Sequence, residues 1–376
     1  MKLLYVTTIG STMNFFKELV ASLQKEGHTV DIACNSTAAP VPNFFRELGC
    51  RVYPLPLSRS PLAAGNLRAI RELRRIVRAE RYDIVHCHTP VAALCTRLAC
   101  RGARKRGTRV FYTAHGFHFY KGAPRKNWLL FYPLEKLCAR MTDVLITINH
   151  EDFALAQRKL HAVRTVYVPG VGVETARFRN TVLDRAEKRR ALGIPEGATL
   201  LLSVGELNEN KNHSSVLRAM AAWNEPNAYY LIAGVGSLRD DLEQLADRLG
   251  LGSRVRLLGY RNDVAELYKA ADVLVFPSFR EGLPVSVMEA MASGLPTVAA
   301  VNRGTRELIE DGVNGLLCPP DDPIALRDAL ARLCGDPALR QSFAAAGMQK
   351  AASYDLAVVI REMRRLYGLP SEEATE

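Results

Sequence analysis

Pro277-Ser278-Phe279-Arg280-Glu281-Gly282-Leu283-Pro284-Val285-Ser286-Val287-Met288-Glu289-Ala290-Met291-Ala292-Ser293-Gly294-Leu295-Pro296 decides how this chain of 376 residues is read. It follows Val273–Phe276, an apolar run of the kind expected for a parallel strand buried on both faces. Gly282 permits backbone angles that other residues resist, and Pro284 has the fixed φ suited to a first helical position. Gly294 and Pro296 stop that helix, and 297–301 reads as the next strand. The segment is therefore strand, loop, helix, strand, with Glu281 in the loop and Glu289 about two turns into the helix.

A helix N-terminus offers free N–H groups to a phosphate, and open α/β sheets bind ligands beyond the carboxyl ends of their strands. Two carboxylates beside a phosphate would repel it, so they are expected to accept hydrogen bonds from hydroxyls. A phosphate flanked by polyol-binding carboxylates describes a nucleotide-sugar; the plainer alternative is a helix whose Glu289 faces solvent. Glu281 and Glu289, inside Glu-Gly-Leu-Pro…Glu-Ala-Met-Ala-x-Gly-x-Pro, closely resemble the signature of family 4 glycosyltransferases, retaining enzymes of the GT-B fold.

The whole chain sets wider bounds. Its length suggests two domains, and a composition 48% hydrophobic and 24% charged is that of a globular protein with ample core. No apolar run approaches the ~18–20 residues of a membrane helix. The N-terminus reads as a first strand rather than a signal peptide. The eight cysteines show no Cys-x-x-Cys pair, which favours reduced structural thiols and a cytoplasmic protein over disulfides or zinc. The net charge of +11 is uneven: residues 1–180 hold 28 Lys+Arg against 12 Asp+Glu. A basic first half suggests an anionic partner such as the inner face of a membrane or a polyprenyl diphosphate, with solubility charge as the bland alternative. No motif of a nucleic-acid-binding module is present, so nucleic acid is not expected.

In the first half, 3–7, 29–34, 82–88 and 109–114 read as strands, with helices over 13–25, 66–81 and 91–105. The start is Rossmann-like without being a dinucleotide fingerprint, since only Gly10 of the three glycines is present. Leu67, Ile70, Leu73, Ile76 and Val77 are spaced for one helix face, and Arg68, Arg71, Arg74, Arg75 and Arg78 for the other. That basic face suits either solvent or anionic lipid. His86 and His88 share a strand face, as a metal pair would, but no third and fourth ligand is evident. His115 ends a strand in a His-Gly turn; it suits donation to a sugar hydroxyl or phosphate, or is a structural histidine satisfied by backbone. His-x-His-Thr-Pro at 86–90 and Tyr-Thr-Ala-His-Gly-Phe-His-Phe-Tyr-Lys-Gly at 112–122 look like the branch of family 4 that assembles bacterial capsular and exopolysaccharides. That resemblance implies that His115 contacts the transferred sugar, and that Gly10, Ser11, His88 and His118 lie near the acceptor. Tyr120, Lys121, Arg125, Lys126, Trp128 and Phe131 suit a membrane interface or acceptor channel, or equally a core with a solvated basic rim.

In the second half, 200–204, 229–233 and 255–258 read as strands that run into Gly205, Gly234-Val235-Gly236 and Gly259-Tyr260-Arg261. The Gly-x-Gly lacks a third glycine, which disfavours a nicotinamide site. The resemblance implies donor contacts from Gly205, Lys211, Gly234, Arg261, Gly282, Leu283, Pro284, Val285, Glu289 and Arg303, with His115 and Glu281 as the catalytic pair. One departure stands out: Glu206 occupies the place of an arginine that clamps the diphosphate in the family, so either another residue such as Arg280 or Arg303 compensates or the donor geometry differs within this subfamily.

The expectation is an α/β chain with two Rossmann-like domains facing across a cleft: 1–175 for the acceptor, 195–353 for the donor, and 354–376 as a helix crossing back to the first domain and a frayed tail. The implied activity is retaining transfer of a hexose or N-acetylhexosamine from a nucleotide-sugar, UDP by default, to a lipid-linked saccharide in surface polysaccharide synthesis. Neither a metal nor a cofactor is expected, because Lys211 and helix amides take the metal's place. Two alternatives are a nucleotide-sugar 2-epimerase of the same fold and a catalytically silent nucleotide-sugar-binding partner.

Overall fold

The computed structural model describes residues 1–370, and the expected frayed tail at 372–376 lies outside them. Among the described residues the chain forms two compact units. The first unit takes Met1–Val171 and the chain from Val359 on. Its strands are β1 (Lys2–Ile9), β2 (Thr29–Asn35), β3 (Val52–Pro54), β4 (Ile84–His88), β5 (Arg109–Ala114), β6 (Val144–Thr147) and β7 (Arg164–Tyr167). They pair in parallel in the order β3-β2-β1-β4-β5-β6-β7. All five residues of β4 are buried, as befits a central strand covered by helices on both faces. One side of the sheet packs on Ala69, Leu73 and Val77 of the helix Ala64–Glu80 and on the helix Pro90–Arg104. The other packs on Leu19, Val20 and Leu23 and on Val359, Met363, Leu366 and Tyr367 of the last helix, Leu356–Tyr367. That helix therefore starts in the second unit and ends in the core of the first. The Tyr367 hydroxyl anchors it, 2.7 Å from both the Tyr5 hydroxyl and His86 Nδ1.

The second unit, Gly172–Val358, repeats the plan with β8 (Thr199–Val204), β9 (Ala228–Ala233), β10 (Val255–Gly259), β11 (Val273–Phe276), β12 (Thr297–Ala300) and β13 (Gly315–Cys318). These are parallel in the order β10-β9-β8-β11-β12-β13. The helices Thr175–Arg179 and Arg185–Ala191 belong to this unit, so it begins at Gly172 rather than at 195. In both sheets the strand order reverses beside the first strand, between β1 and β4 and between β8 and β11. Such a reversal opens a crevice at the carboxyl ends of the two strands, because their exit loops run to opposite sides.

Several local expectations needed correction. The chain after β1 enters a 3₁₀ helix, Gly10–Phe16, before the α-helix Lys17–Lys25. Leu67 is 64% exposed and Asn66 is buried in its stead. Asn66 accepts from the Ser58 amide at 3.0 Å and donates to the Ser60 carbonyl at 2.8 Å, which fixes the loop leading into the helix. The segment 125–139 is a helix, despite Pro133 inside it. The central helix spans Val285–Ala292, so Pro284 is its N-cap (ψ 115°) rather than its first residue, and Glu289 lies only in its second turn. Gly294, at φ 74°, ends that helix as expected. All eight cysteines are free thiols.

Glycines set the spacing of the second unit's loops. A Cβ on Gly234 would stand 1.8 Å from the Gly205 carbonyl oxygen, and one on Gly236 2.3 Å from that of Leu207. The Gly-x-Gly thus lets the loop after β9 lie directly on the loop after β8. Gly234→Ala is expected to cost about 1–3 kcal/mol and lower the melting temperature by several degrees. Gly335→Ala, at a site with nothing within 4 Å of the new Cβ, should leave it unchanged or slightly raised. Equal melting temperatures for the two variants, read by differential scanning calorimetry, would refute this packing account.

Candidate active site

In the second unit the polar residues gather at the reversal between β8 and β11. The loop after β8 holds Asn210-Lys211-Asn212, with Asn212 in the left-handed region at φ 53°, a conformation asparagine tolerates. The loop after β11 is stitched to it. The Phe279 amide donates to the Asn210 carbonyl at 2.9 Å, Asn210 Nδ2 to the Arg280 carbonyl at 2.9 Å, and Asn212 Nδ2 to the Pro277 carbonyl at 3.2 Å. From the loop after β12, Asn302 Nδ2 donates to the Ser278 carbonyl at 2.9 Å, and Arg303 Nε to the Glu281 carbonyl at 3.2 Å. Three loops from three adjacent strands are held as one body by their own hydrogen bonds, the preorganisation a binding site needs.

Within this body Lys211 Nζ lies 2.8 Å from Glu281 Oε1 and 5.0 Å from the centre of the Phe276 ring. Its methylene stem passes over Gly205, where a Cβ would meet it at 3.4 Å. Lys211 and Glu281 are therefore one ion pair rather than two independent groups. Glu289 Oε2 accepts from the buried Tyr268 hydroxyl at 2.8 Å. Burial raises the Glu289 carboxyl to about 7, against the weaker opposing pull of Tyr268 and Arg177. It does not face solvent as an ordinary surface glutamate would.

The remaining donor candidates are placed less uniformly. Leu283 is buried and Val285 opens the central helix. Gly304 packs on Gly282, a Cβ there standing 2.9 Å from the Gly282 carbonyl oxygen. Arg303 is buried beside the Glu281 backbone, whereas Arg280 is exposed, so Arg303 is the cation built into the loop body. Arg261 forms a two-pronged bond with Asp263, at 2.7 and 2.5 Å, and Asp263 also takes Lys188 Nζ at 2.6 Å. Its guanidinium is thus committed to a local carboxylate. Glu206 is exposed and accepts from Asn208 Nδ2 at 3.0 Å, so it leaves the Lys211–Glu281 pair alone. Tyr268, Asn210 and Asn212 were not among the sequence candidates. Only the Asn-x-Asn run around Lys211 offered a signal for any of them.

The first unit carries a histidine cluster at the carboxyl ends of β4 and β5. His88 Nδ1 lies 3.2 Å from His115 Nε2, and the His88 ring stacks on Tyr5 at 5.6 Å and lies 4.2 Å from that of His86. His86 has both nitrogens engaged, by Tyr367 and by the Thr113 hydroxyl at 2.8 Å. His88 Nε2 is buried with no hydrogen-bond partner. Burial lowers all three: His86 to about 3, His115 to about 4, and His88 well below the usual value. Each ring is therefore neutral near pH 7, with one N–H to donate and one nitrogen to accept. His115 can orient a hydroxyl but brings no positive charge of its own.

Around this cluster the structure separates candidates that the sequence grouped. Gly10 is buried under Ala39–Val41, where a Cβ would stand 2.5 Å from the Val41 nitrogen, so packing accounts for its being glycine; Ser11 is half-buried. His118 has its ring 4.6 Å from that of Phe131 and lines an apolar groove, whereas His88 and His115 pair with each other. Thr89 holds φ 66°, unusual for a β-branched residue, and its hydroxyl lies 2.6 Å from that of Thr8 across the reversal between β1 and β4. Strained backbone of this kind, costing roughly 1–3 kcal/mol, collects at functional sites.

Glu289 carries a pH signature. Its folded value near 7 exceeds the usual 4.5, so between those values the folded state holds a proton that the unfolded state has lost. Stability is fully present below about 4.5 and falls as pH rises through about 7. Glu289→Gln removes this loss. The melting temperature of the variant relative to the parent should climb from pH 5 to pH 8, by the equivalent of about 1–3 kcal/mol. A pH-independent difference would contradict the buried, protonated carboxyl.

Comparison with known proteins places the chain in a family. Residues 184–350 match the family "Glycosyl transferases group 1" and residues 13–170 a "Glycosyl transferase 4-like domain". The chain is 38% identical to the putative glycosyltransferase EpsD of Bacillus subtilis over 90% of its length and 94% of the relative's. It is 29% identical to the UDP-Gal:alpha-D-GlcNAc-diphosphoundecaprenol alpha-1,3-galactosyltransferase of Escherichia coli, over 84% of this chain and 83% of that one. In fold it is similar to Anabaena HepE solved with UDP-glucose (TM-score 0.80, 20% identical, 98% of this chain and 99% of that chain). It is likewise similar to WaaG, a glycosyltransferase involved in lipopolysaccharide biosynthesis (TM-score 0.76, 20% identical, 97% and 99%). The chain belongs to family 4 of the glycosyltransferases, sugar-transferring enzymes built from the two Rossmann-like domains of the GT-B fold.

Proposed function

We propose that this enzyme is a retaining glycosyltransferase that takes a hexose or N-acetylhexosamine from a UDP-sugar and adds it to a lipid-linked saccharide during bacterial surface polysaccharide assembly. The observation that carries the reading is the loop body at the β8/β11 reversal, where Lys211 and Glu281 form an ion pair and Glu289 stands in the second turn of the adjoining helix. UDP-glucose in the complex with HepE supports the choice of donor. The diphosphoundecaprenol-linked substrate in the Escherichia coli relative's name supports the lipid-linked acceptor.

Glu289 accepts from the ribose hydroxyls, and Glu281 from those of the transferred sugar. Lys211, with the amides of residues 282–285, takes the charge that builds on the leaving diphosphate. Arg303 adds a buried cation beside the Glu281 backbone. His115, neutral, donates its N–H to the sugar and holds it for attack. The acceptor hydroxyl approaches C1 on the face the diphosphate leaves. The C1–O bond to phosphate breaks, the new C1–O bond forms, and the departing phosphate oxygen takes the acceptor's proton. No protein nucleophile or metal enters this scheme, because the ammonium and the helix amides balance the charge of the leaving group. The membrane's inner face is the proposed location, in keeping with the basic first half.

A panel of UDP-, GDP- and ADP-sugars, read by thermal shift and by slow hydrolysis, tests this reading. One UDP-sugar should stabilise the protein, and Glu289→Ala should abolish that shift. Lys211→Ala should lower turnover by about 10²-fold or more, and a chelator should leave activity within about twofold. Conversion of the donor into an isomer would indicate the epimerase; binding without any turnover, or no response at all, would indicate a silent partner. Loss of most activity with chelator would refute metal independence.

A further inference from the structure

The helix Arg125–Ala139 has two apolar faces, and only one of them is used in folding. Its inner face sets Trp128, Phe131 and Tyr132 against the first unit's core, buries Cys138 and Ala139, and pairs Glu135 with the buried Arg97. Trp128 Nε1 donates to the Tyr120 carbonyl at 3.2 Å, which completes the inner polar bonding. The outer face is a stripe of Leu129, Leu130, Pro133, Leu134 and Leu137, at helical spacings of three and four. These leucines are 79, 53, 40 and 57% exposed. A single exposed leucine is ordinary, but four on one stripe make a patch that asks for a partner.

Charge identifies that partner. Lys121, Arg125, Lys126, Lys136 and Arg140 border the stripe, and among the described residues none forms an ion pair with a carboxylate. The helix's own acid, Glu135, is buried on the inner side. Leu134 continues the patch into the apolar groove lined by His118 and Pro61, and Leu62, next to Pro61, is 94% exposed. An apolar ridge with a cationic rim fits a leaflet whose headgroups are anionic and whose interior is hydrocarbon. A protein partner of matching shape would need a rim of acids around its own apolar strip, whereas an anionic bilayer presents both features everywhere.

We propose that the outer face of Arg125–Ala139 is the surface by which this enzyme enters an anionic phospholipid membrane, with the four leucines in the headgroup–acyl boundary and the five cations among the phosphates. The inference rests on the membrane part of the proposed function for the kind of partner, but not on the identity of donor or acceptor. Vesicle flotation of the full chain tests it, using phosphatidylglycerol–phosphatidylcholine vesicles beside pure phosphatidylcholine. Binding should require phosphatidylglycerol and weaken with salt. The double variant Leu129→Glu/Leu137→Glu should bind at least tenfold less, and Arg125→Glu/Lys126→Glu should lose the preference for anionic lipid. Both variants change exposed positions, so their melting temperatures and the shift induced by a UDP-sugar should match the parent's. That shift reports the donor reading separately: its absence with flotation intact sinks the glycosyltransferase scheme alone. Flotation of the leucine variant equal to the parent's would overturn the proposal. It would redirect attention to the second basic surface, where Arg74, Arg78, Arg101, Lys105 and Arg106 line one pocket. A parent dimer that dissociates in the leucine variant, read by analytical ultracentrifugation, would overturn it as well.

Discussion

Parallel pairing governs where this protein can carry chemistry. Within each sheet every strand points the same way, so its exit loops leave from one edge, and the reversal of strand order beside β1 in one sheet and β8 in the other opens a gap between neighbouring exit loops. Lys211 and Glu281, 70 residues apart in sequence, meet because their loops leave β8 and β11 side by side. Thr8 and Thr89 meet by the same logic after β1 and β4. Gly205, Gly234 and Gly236 then remove the side chains that would otherwise hold the second unit's loops apart.

Burial tunes what the positioned groups can do. The low-dielectric setting that raises the Glu289 carboxyl also lowers the cluster of His86, His88 and His115, so near neutral pH the first unit's cluster carries little charge. In the second unit Lys211 and Glu281 offset each other's charge, and Arg303 adds a buried cation beside them. In the proposed scheme a diphosphate arriving there competes with Glu281 for the ammonium and frees that carboxylate to accept sugar hydroxyls. Binding and the release of Glu281 are then one event.

Strands buried on both faces write themselves into sequence as short apolar runs, which is why 273–276, 200–204, 229–233 and 84–88 could be read directly, and with them the fold. β3 escaped because Val52–Pro54 is a three-residue strand with little burial. The helix Arg125–Ala139 escaped for the opposite reason: it is apolar outside as well as inside and contains Pro133, so no single stripe marks it. Glu281, Glu289 and Lys211 in the second unit, and His115 in the first, could be singled out as residue types in a pattern. Their partners were not, since Tyr268 to Glu289 and Arg303 to Glu281 are contacts that only the folded loops create. Nor could spacing show that Gly-x-Gly answers to loop packing, or that Arg261 is held by Asp263.

The central claim is that Lys211 and Glu281 divide the donor between them, the lysine holding the diphosphate and the glutamate the sugar. Calorimetric titration of UDP and of the matching UDP-sugar into the parent, Lys211→Met and Glu281→Gln tests this most directly. The account predicts that Lys211→Met weakens both ligands alike, while Glu281→Gln leaves UDP bound and erases the added affinity conferred by the sugar. Unchanged affinities in Lys211→Met, or loss of UDP itself in Glu281→Gln, would contradict it.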